Sequence, residues 1–102
     1  MSEMKKLGNI KDLIEGELFT YFVDNSSIAV TKIGESVFAI ENLCSHAKCN
    51  LDEGLIEEET VVCPCHGAVF DLHTGDPLNP PATKPIKIFQ VSISGEELYI
   101  KL

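Results

Sequence analysis

Two short segments, Cys44-Ser45-His46-Ala47-Lys48-Cys49 and Cys63-Pro64-Cys65-His66-Gly67, hold all four cysteines and two of the three histidines of this chain. Each offers a Cys/His pair: Cys44-x-His46, then sixteen intervening residues, then Cys63-x2-His66. Pairs so far apart can act on one object only if the fold brings two loops to the same place. Thiolate and imidazole are the donors that transition metals of some softness select. In a reducing compartment such clusters more often signal metal than a disulfide framework. That compartment is itself an expectation. The start, Met1 to Lys6, leads into no apolar segment of a secretory signal, and the longest purely apolar run is Val37-Phe38-Ala39-Ile40. A membrane helix needs roughly 20 apolar residues, so the reading is a cytoplasmic protein with no membrane partner.

The rest of the chain reads as strands. Leu18 to Val23, Ile28 to Ile33 and Ser36 to Ile40 are rich in aromatic and β-branched residues, with turn residues at Asp24 to Ser27 and at Gly34-Glu35. Ile86 to Ile93 and Glu97 to Leu102 flank Ser94-Gly95-Glu96, and the first of these alternates apolar and polar residues. Period-two alternation around glycine turns implies antiparallel hairpins with one buried face. Asp12-Leu13-Ile14-Glu15 has the spacing of a capping box, enough for one helical turn before Gly16. With 102 residues and a normal apolar share of 44%, one all-β domain is expected, sandwich or barrel-like. Residues 42–83 stand apart, because they hold every Cys, every His and four of the five Pro. Only Thr60 to Cys63 and Ala68 to Asp71 read as strands there. The domain therefore divides into a β base, residues 1–41 and 84–102, and an inserted loop-rich site, residues 42–83.

Several chemistries are open to the Cys/His pairs. Haem attachment through Cys-x-x-Cys-His fails by one residue, and a thioredoxin-like Cys-x-x-Cys is absent. Structural zinc with two Cys and two His is chemically open, although zinc sites usually pair Cys with Cys and His with His. One Cys and one His on each segment also suits a [2Fe–2S] centre with one iron held by two Cys and the other by two His.

The pattern Cys44-x-His46…Cys63-Pro64-x-His66-Gly67 resembles the Rieske iron–sulfur motif. Asn42, Leu51, Gly54, Phe70-Asp71-x-x-Thr74-Gly75 and Pro80-Pro81-Ala82 also resemble the Rieske ferredoxin pattern, so the likeness runs from about Gly16 to Leu102. It implies a Rieske-like antiparallel β-sandwich or barrel with an inserted cluster-binding subdomain, and one [2Fe–2S] cluster per chain. Cys44 and Cys63 would hold one iron, His46 and His66 the other. With both imidazoles neutral, the charges of two ferric irons, two sulfides and two thiolates cancel, and reduction leaves one negative charge. Pro80 and Pro81 would belong to the segment covering one side of the cluster.

Two further features follow from the resemblance. High-potential respiratory members carry a Ser and a Tyr where this chain has Ala68 and Phe70, and those hydroxyls donate to cluster sulfur. Without them the potential should lie low in the family range of roughly −150 to +300 mV. Cys49 and Cys65 sit where respiratory members place a disulfide joining the cluster loops. The bridge is the expectation, and two buried thiols the alternative.

The implied function is a single-electron carrier between a reductase and a terminal oxidoreductase, not an enzyme. A chain with 8 Lys+Arg against 16 Asp+Glu, net −8, disfavours nucleic acid and suits encounter with basic redox partners. A monomer is expected. The alternatives are a fixed electron-transfer subunit of an oxygenase or reductase complex, and a zinc-stabilised interaction module. His73, beside the Thr74-Gly75 turn, reads as a solvated loop residue. Glu57-Glu58-Glu59 reads as a solvated hairpin end that could share in an acidic docking surface.

Overall fold

A computed structural model describes residues 4–43, 49–65, 67–79 and 84–101. Within them run nine strands: β1 (Met4–Asn9), β2 (Leu18–Val23), β3 (Ser26–Ile33), β4 (Ser36–Glu41), β5 (Leu55–Glu57), β6 (Thr60–Val62), β7 (Val69–Asp71), β8 (Ile88–Ser94) and β9 (Glu97–Lys101). Six form an antiparallel sheet in the order β1-β9-β8-β4-β3-β2, and β5-β6-β7 form a second. The large sheet curls towards closure. Its two edge strands meet where the Tyr21 ring of β2 covers Gly8 of β1, and the Lys5 ammonium lies 3.6 Å from the Asp24 carboxylate across the gap. Closure of this kind removes the exposed edges on which an open sheet would aggregate.

The β2–β3 turn is tighter than the sequence suggests. Asp24 and Asn25 alone make it, with φ of 48° and 69°, and Ser26 already pairs with Val23. Two left-handed residues are what a type I′ hairpin turn requires, and Asp and Asn tolerate that region.

Two strands escape the sequence reading, and one helical turn moves. The segment Met4–Asn9 carries two lysines and a glycine, a poor strand signature. It becomes a strand because β9 offers a partner from Lys101 to Glu97, with a bulge between Lys6 and Gly8. Leu55–Glu57 is likewise a strand by pairing with β6. The expected capping box at Asp12 is absent. A single 3-10 turn spans Ile10–Asp12 instead, and the Asn9 carboxamide caps it by accepting the Lys11 N–H at 2.8 Å. The Glu15 carboxylate accepts from the Gly34 amide instead, at 3.0 Å.

The centre of β3 and β4 is buried on both faces, which corrects the expectation of one buried face. Ile28, Val30 and Ala39 point into the barrel interior with Leu13, Phe89, Leu98 and Ile100. Ala29 and Ile40 point outwards into a second core with Leu51, Val61, Phe70, Leu72 and Ile86. The continuous runs Ile28-Ala29-Val30 and Ala39-Ile40 thus serve two cores, as in strands covered on both sides. The small sheet packs on the outer face of β3 and β4. Phe70, fully buried at that junction, anchors it, and truncation to Ala should cost about 3–5 kcal/mol.

His73 is exposed in its turn, as expected, and in addition makes polar contacts at the same junction. Its ring stands edge-on to Phe38 of β4, with centroids 4.8 Å apart, and its Nε2 meets the Glu59 carboxylate. Glu59 in turn accepts the Leu72 N–H through its backbone carbonyl, at 3.1 Å.

Candidate metal centre

The second Cys/His segment is the connection between β6 and β7. β6 delivers Cys63 into the outer core, where it is 1% exposed. Its N–H donates to the Ala68 carbonyl at 2.7 Å, which closes the loop at its base. Inside the loop, the Cys65 N–H donates to Cys63 Sγ at 3.4 Å. An amide hydrogen directed at a cysteine sulfur is the kind of donor found around metal-bound thiolates. Cys63 takes no part in a disulfide.

The first segment is tied to this loop covalently. Cys49 and Cys65 form a disulfide, with Cα atoms 6.3 Å apart, as a native bridge requires. Cys49, at the end of the first segment, therefore lies against the turn that follows Cys63. The base of the first segment is fixed from both ends. The Asn42 side chain, almost wholly buried, donates to Ser27 Oγ at 3.0 Å and accepts the Asp52 N–H at 2.7 Å. The Asp52 carboxylate then accepts the Thr20 hydroxyl. One asparagine so connects β3, the strand leaving β4 and the chain returning from the first segment.

Of the residues expected to hold a metal, Cys63 is placed here as a buried sulfur with an amide donor. Cys44, His46 and His66 lie outside the described residues, as do Pro80 and Pro81. Ala68 and Phe70 are both fully buried behind the second loop and offer no hydroxyl. The surroundings are acidic. Residues 49–79 carry Asp52, Glu53, Glu57, Glu58, Glu59, Asp71 and Asp76 and no Lys or Arg.

Residues 3–90 match the Rieske [2Fe-2S] domain family. The chain belongs to that family. It is 36% identical over 93 residues to the anthranilate 1,2-dioxygenase ferredoxin subunit of Burkholderia cepacia, a match covering 91% of this chain and 86% of the relative. Among solved structures it is similar to the ferredoxin of carbazole 1,9a-dioxygenase from Nocardioides aromaticivorans IC177. That likeness has a TM-score of 0.90, 33% identity and 95% of each chain covered. A ferredoxin in a complex described as reduced oxygenase with oxidised ferredoxin, again of carbazole 1,9a-dioxygenase, matches with a TM-score of 0.88 and 29% identity, over 96% of this chain and 92% of that one.

The cofactor of this Rieske protein is one [2Fe–2S] cluster, and its role is electron transfer, not catalysis. The described residues fit such a group. A buried cysteine sulfur receives an amide hydrogen, in a hairpin loop cross-linked to the other Cys/His segment. This is the second-sphere donor that tunes a metal-bound thiolate. Sequence reasoning missed what holds the two loops in place, namely the Asn42 bridge and a second carboxamide, that of Asn79. Asn42 stood out only through the resemblance, without its bonding role, and Asn79 had no signal, because its partners are backbone groups of a distant segment.

Proposed function

We propose that Cys44 and Cys63 hold one iron of the cluster and His46 and His66 the other, and that this chain is the ferredoxin component of a dioxygenase system. It would take single electrons from a reductase and deliver them to the oxygenase. The carrying observation is the buried Cys63 sulfur with the Cys65 amide directed at it, in a loop fastened to the first segment by Cys49–Cys65. When bound, the cluster accepts and releases one electron. The protein's part is to hold two loops rigid, so that little rearrangement accompanies the change of charge. It also packs Ala68 and Phe70 into the same core as Cys63.

The ferredoxin names of the relatives and the solved ferredoxin–oxygenase complex support the partner classes. The net charge of −8 supports steering towards basic partner surfaces. No helix among the described residues is long and apolar enough to cross a membrane, which accords with a proposed cytoplasmic location. We further take the chain to be one domain that works as a monomer, with residues 1–41 and 84–102 as base and 42–83 as cluster-binding insertion. The large sheet lies within 4–41 and 88–101 and the small one within 55–71, which supports that division.

Dithionite reduction followed by EPR tests the ligand set. A rhombic spectrum with hyperfine coupling to two nitrogens is expected, with one coupling lost in His66→Cys. A colourless protein without signal would mean zinc. Electron delivery to a basic partner should slow steeply with added salt, and a salt-independent rate would remove the steering argument.

A further inference from the structure

The segment after β7 runs back along that strand. Asp71 donates its N–H to the Asp76 carbonyl at 2.9 Å, Phe70 bridges Pro77, and the Leu78 N–H donates to the Val69 carbonyl at 2.8 Å. This backbone ladder cannot go further in the same way, because residue 80 is proline and brings no N–H. At that point a side chain takes over. The Asn79 carboxamide accepts the Val69 N–H through Oδ1 at 2.8 Å and donates from Nδ2 to the Gly67 carbonyl at 3.2 Å. It uses an acceptor and a donor together, as a peptide unit of a neighbouring strand would.

The two backbone groups it holds are not arbitrary. Gly67 follows His66 directly, and Val69 opens β7 on the far side of Ala68, whose carbonyl closes the loop on Cys63. Asn79 itself immediately precedes Pro80-Pro81. One carboxamide therefore fastens the stem of the proline segment to the backbone just beyond the second histidine. From this geometry we infer that Asn79 is a positioning residue for the cluster site: it holds the backbone at Gly67 and Val69, directly after His66 in the chain, and so influences the redox properties of the cluster. The inference rests on the proposed assignment of His66 as a ligand.

Asn79→Ala removes both bonds and leaves the backbone ladder below intact. Local opening of the 66–71 segment, read by hydrogen exchange with mass spectrometry on the cluster-loaded protein, should become roughly tenfold more frequent. Loosening this loop admits water. The reduced cluster carries one more negative charge than the oxidised one and gains more from that water, so the midpoint potential should rise. The g-values of the reduced protein should shift with it. Leu78→Ala, at an exposed neighbour whose side chain is outside this network, should leave all three readouts unchanged. Where Asn79→Ala fails to fold, Asn79→Asp keeps the acceptor for Val69 and loses the donor to Gly67, and should shift the g-values by a smaller amount.

A folded Asn79→Ala protein with wild-type potential and g-values would overturn the inference. So would a change confined to thermal stability, or a potential that falls. If the wild-type protein itself shows no [2Fe–2S] signal, the ligand assignment fails, a different result from a wild-type signal that the variant leaves unaltered.

Discussion

Removing the Cys49–Cys65 bridge tests how far the two metal-binding loops depend on each other. The bridge closes a sequence separation of 16. In the chain-entropy treatment a loop of that size restricts the unfolded chain by about 3 kcal/mol. For a domain of this length each kcal/mol moves the melting temperature by roughly 4–8 °C, so Cys49→Ser with Cys65→Ser should lower that of the cluster-free protein by about 12–24 °C. The loaded protein should lose less. With the cluster spanning both loops as proposed, the long loop would already be closed, and the bridge would then close a ring of only about five residues, worth about 2 kcal/mol. Thermal unfolding followed by circular dichroism, with and without the cluster, reads both values. A cluster-free variant melting within about 2 °C of wild type would refute the entropic account. An equal loss in both states would refute the claim that the cluster and the bridge join the same two loops.

The close approaches at Gly54 and Gly75 give a matched pair. A methyl group at Gly54 would collide with the Val62 carbonyl although the backbone there is ordinary, and one at Gly75 would collide with the Ile86 carbonyl at a φ of +82°. Denaturant midpoints should show a loss of about 1–3 kcal/mol for Gly54→Ala and a larger loss, about 2–4 kcal/mol, for Gly75→Ala; a neutral Gly54→Ala would show that the turn gives way freely. Restoring hydroxyls by Ala68→Ser and Phe70→Tyr should raise the potential, on the order of tens of millivolts each, because a donor to sulfur stabilises the more negative reduced form. Voltammetry showing no rise would mean that these side chains do not reach the cluster sulfurs. At the barrel end, the Tyr99 hydroxyl donates to Glu97 at 2.6 Å and Lys6 lies beside it, which together lower the Glu97 pKa; the same bond raises that of Tyr99. The contribution of Glu97 is present above the ordinary carboxylate range and lost as pH falls through its lowered pKa. That of Tyr99 is present below about pH 10 and lost as pH rises through its raised pKa. Glu97→Gln should flatten the acid limb of the stability–pH curve, and an unchanged limb would show the pair to be without consequence.

The sequence by itself determined the all-β class, most strand positions, the two Cys/His segments and the family they belong to. These features are local or carried by spacing: alternation along Ile88–Ser94, a glycine in the β8–β9 turn, a cysteine and a histidine two or three residues apart. The tertiary structure decided what depends on a distant partner. Met4–Asn9 is a strand only because β9 lies beside it, and Leu55–Glu57 only because β6 does. That Ala29 and Ile40 face a second core could not be told from the apolar run around them, since a buried strand looks alike whichever side is covered. The roles of Asn42, His73 and Asn79 were hidden for the same reason. Asn42 and Asn79 bond to backbone groups at least ten residues away along the chain, and His73 meets a carboxylate and a ring that only folding brings near. Backbone groups carry no sequence identity, so the bonds a carboxamide makes to them cannot be read from the chain, even where they hold the two Cys/His segments in place.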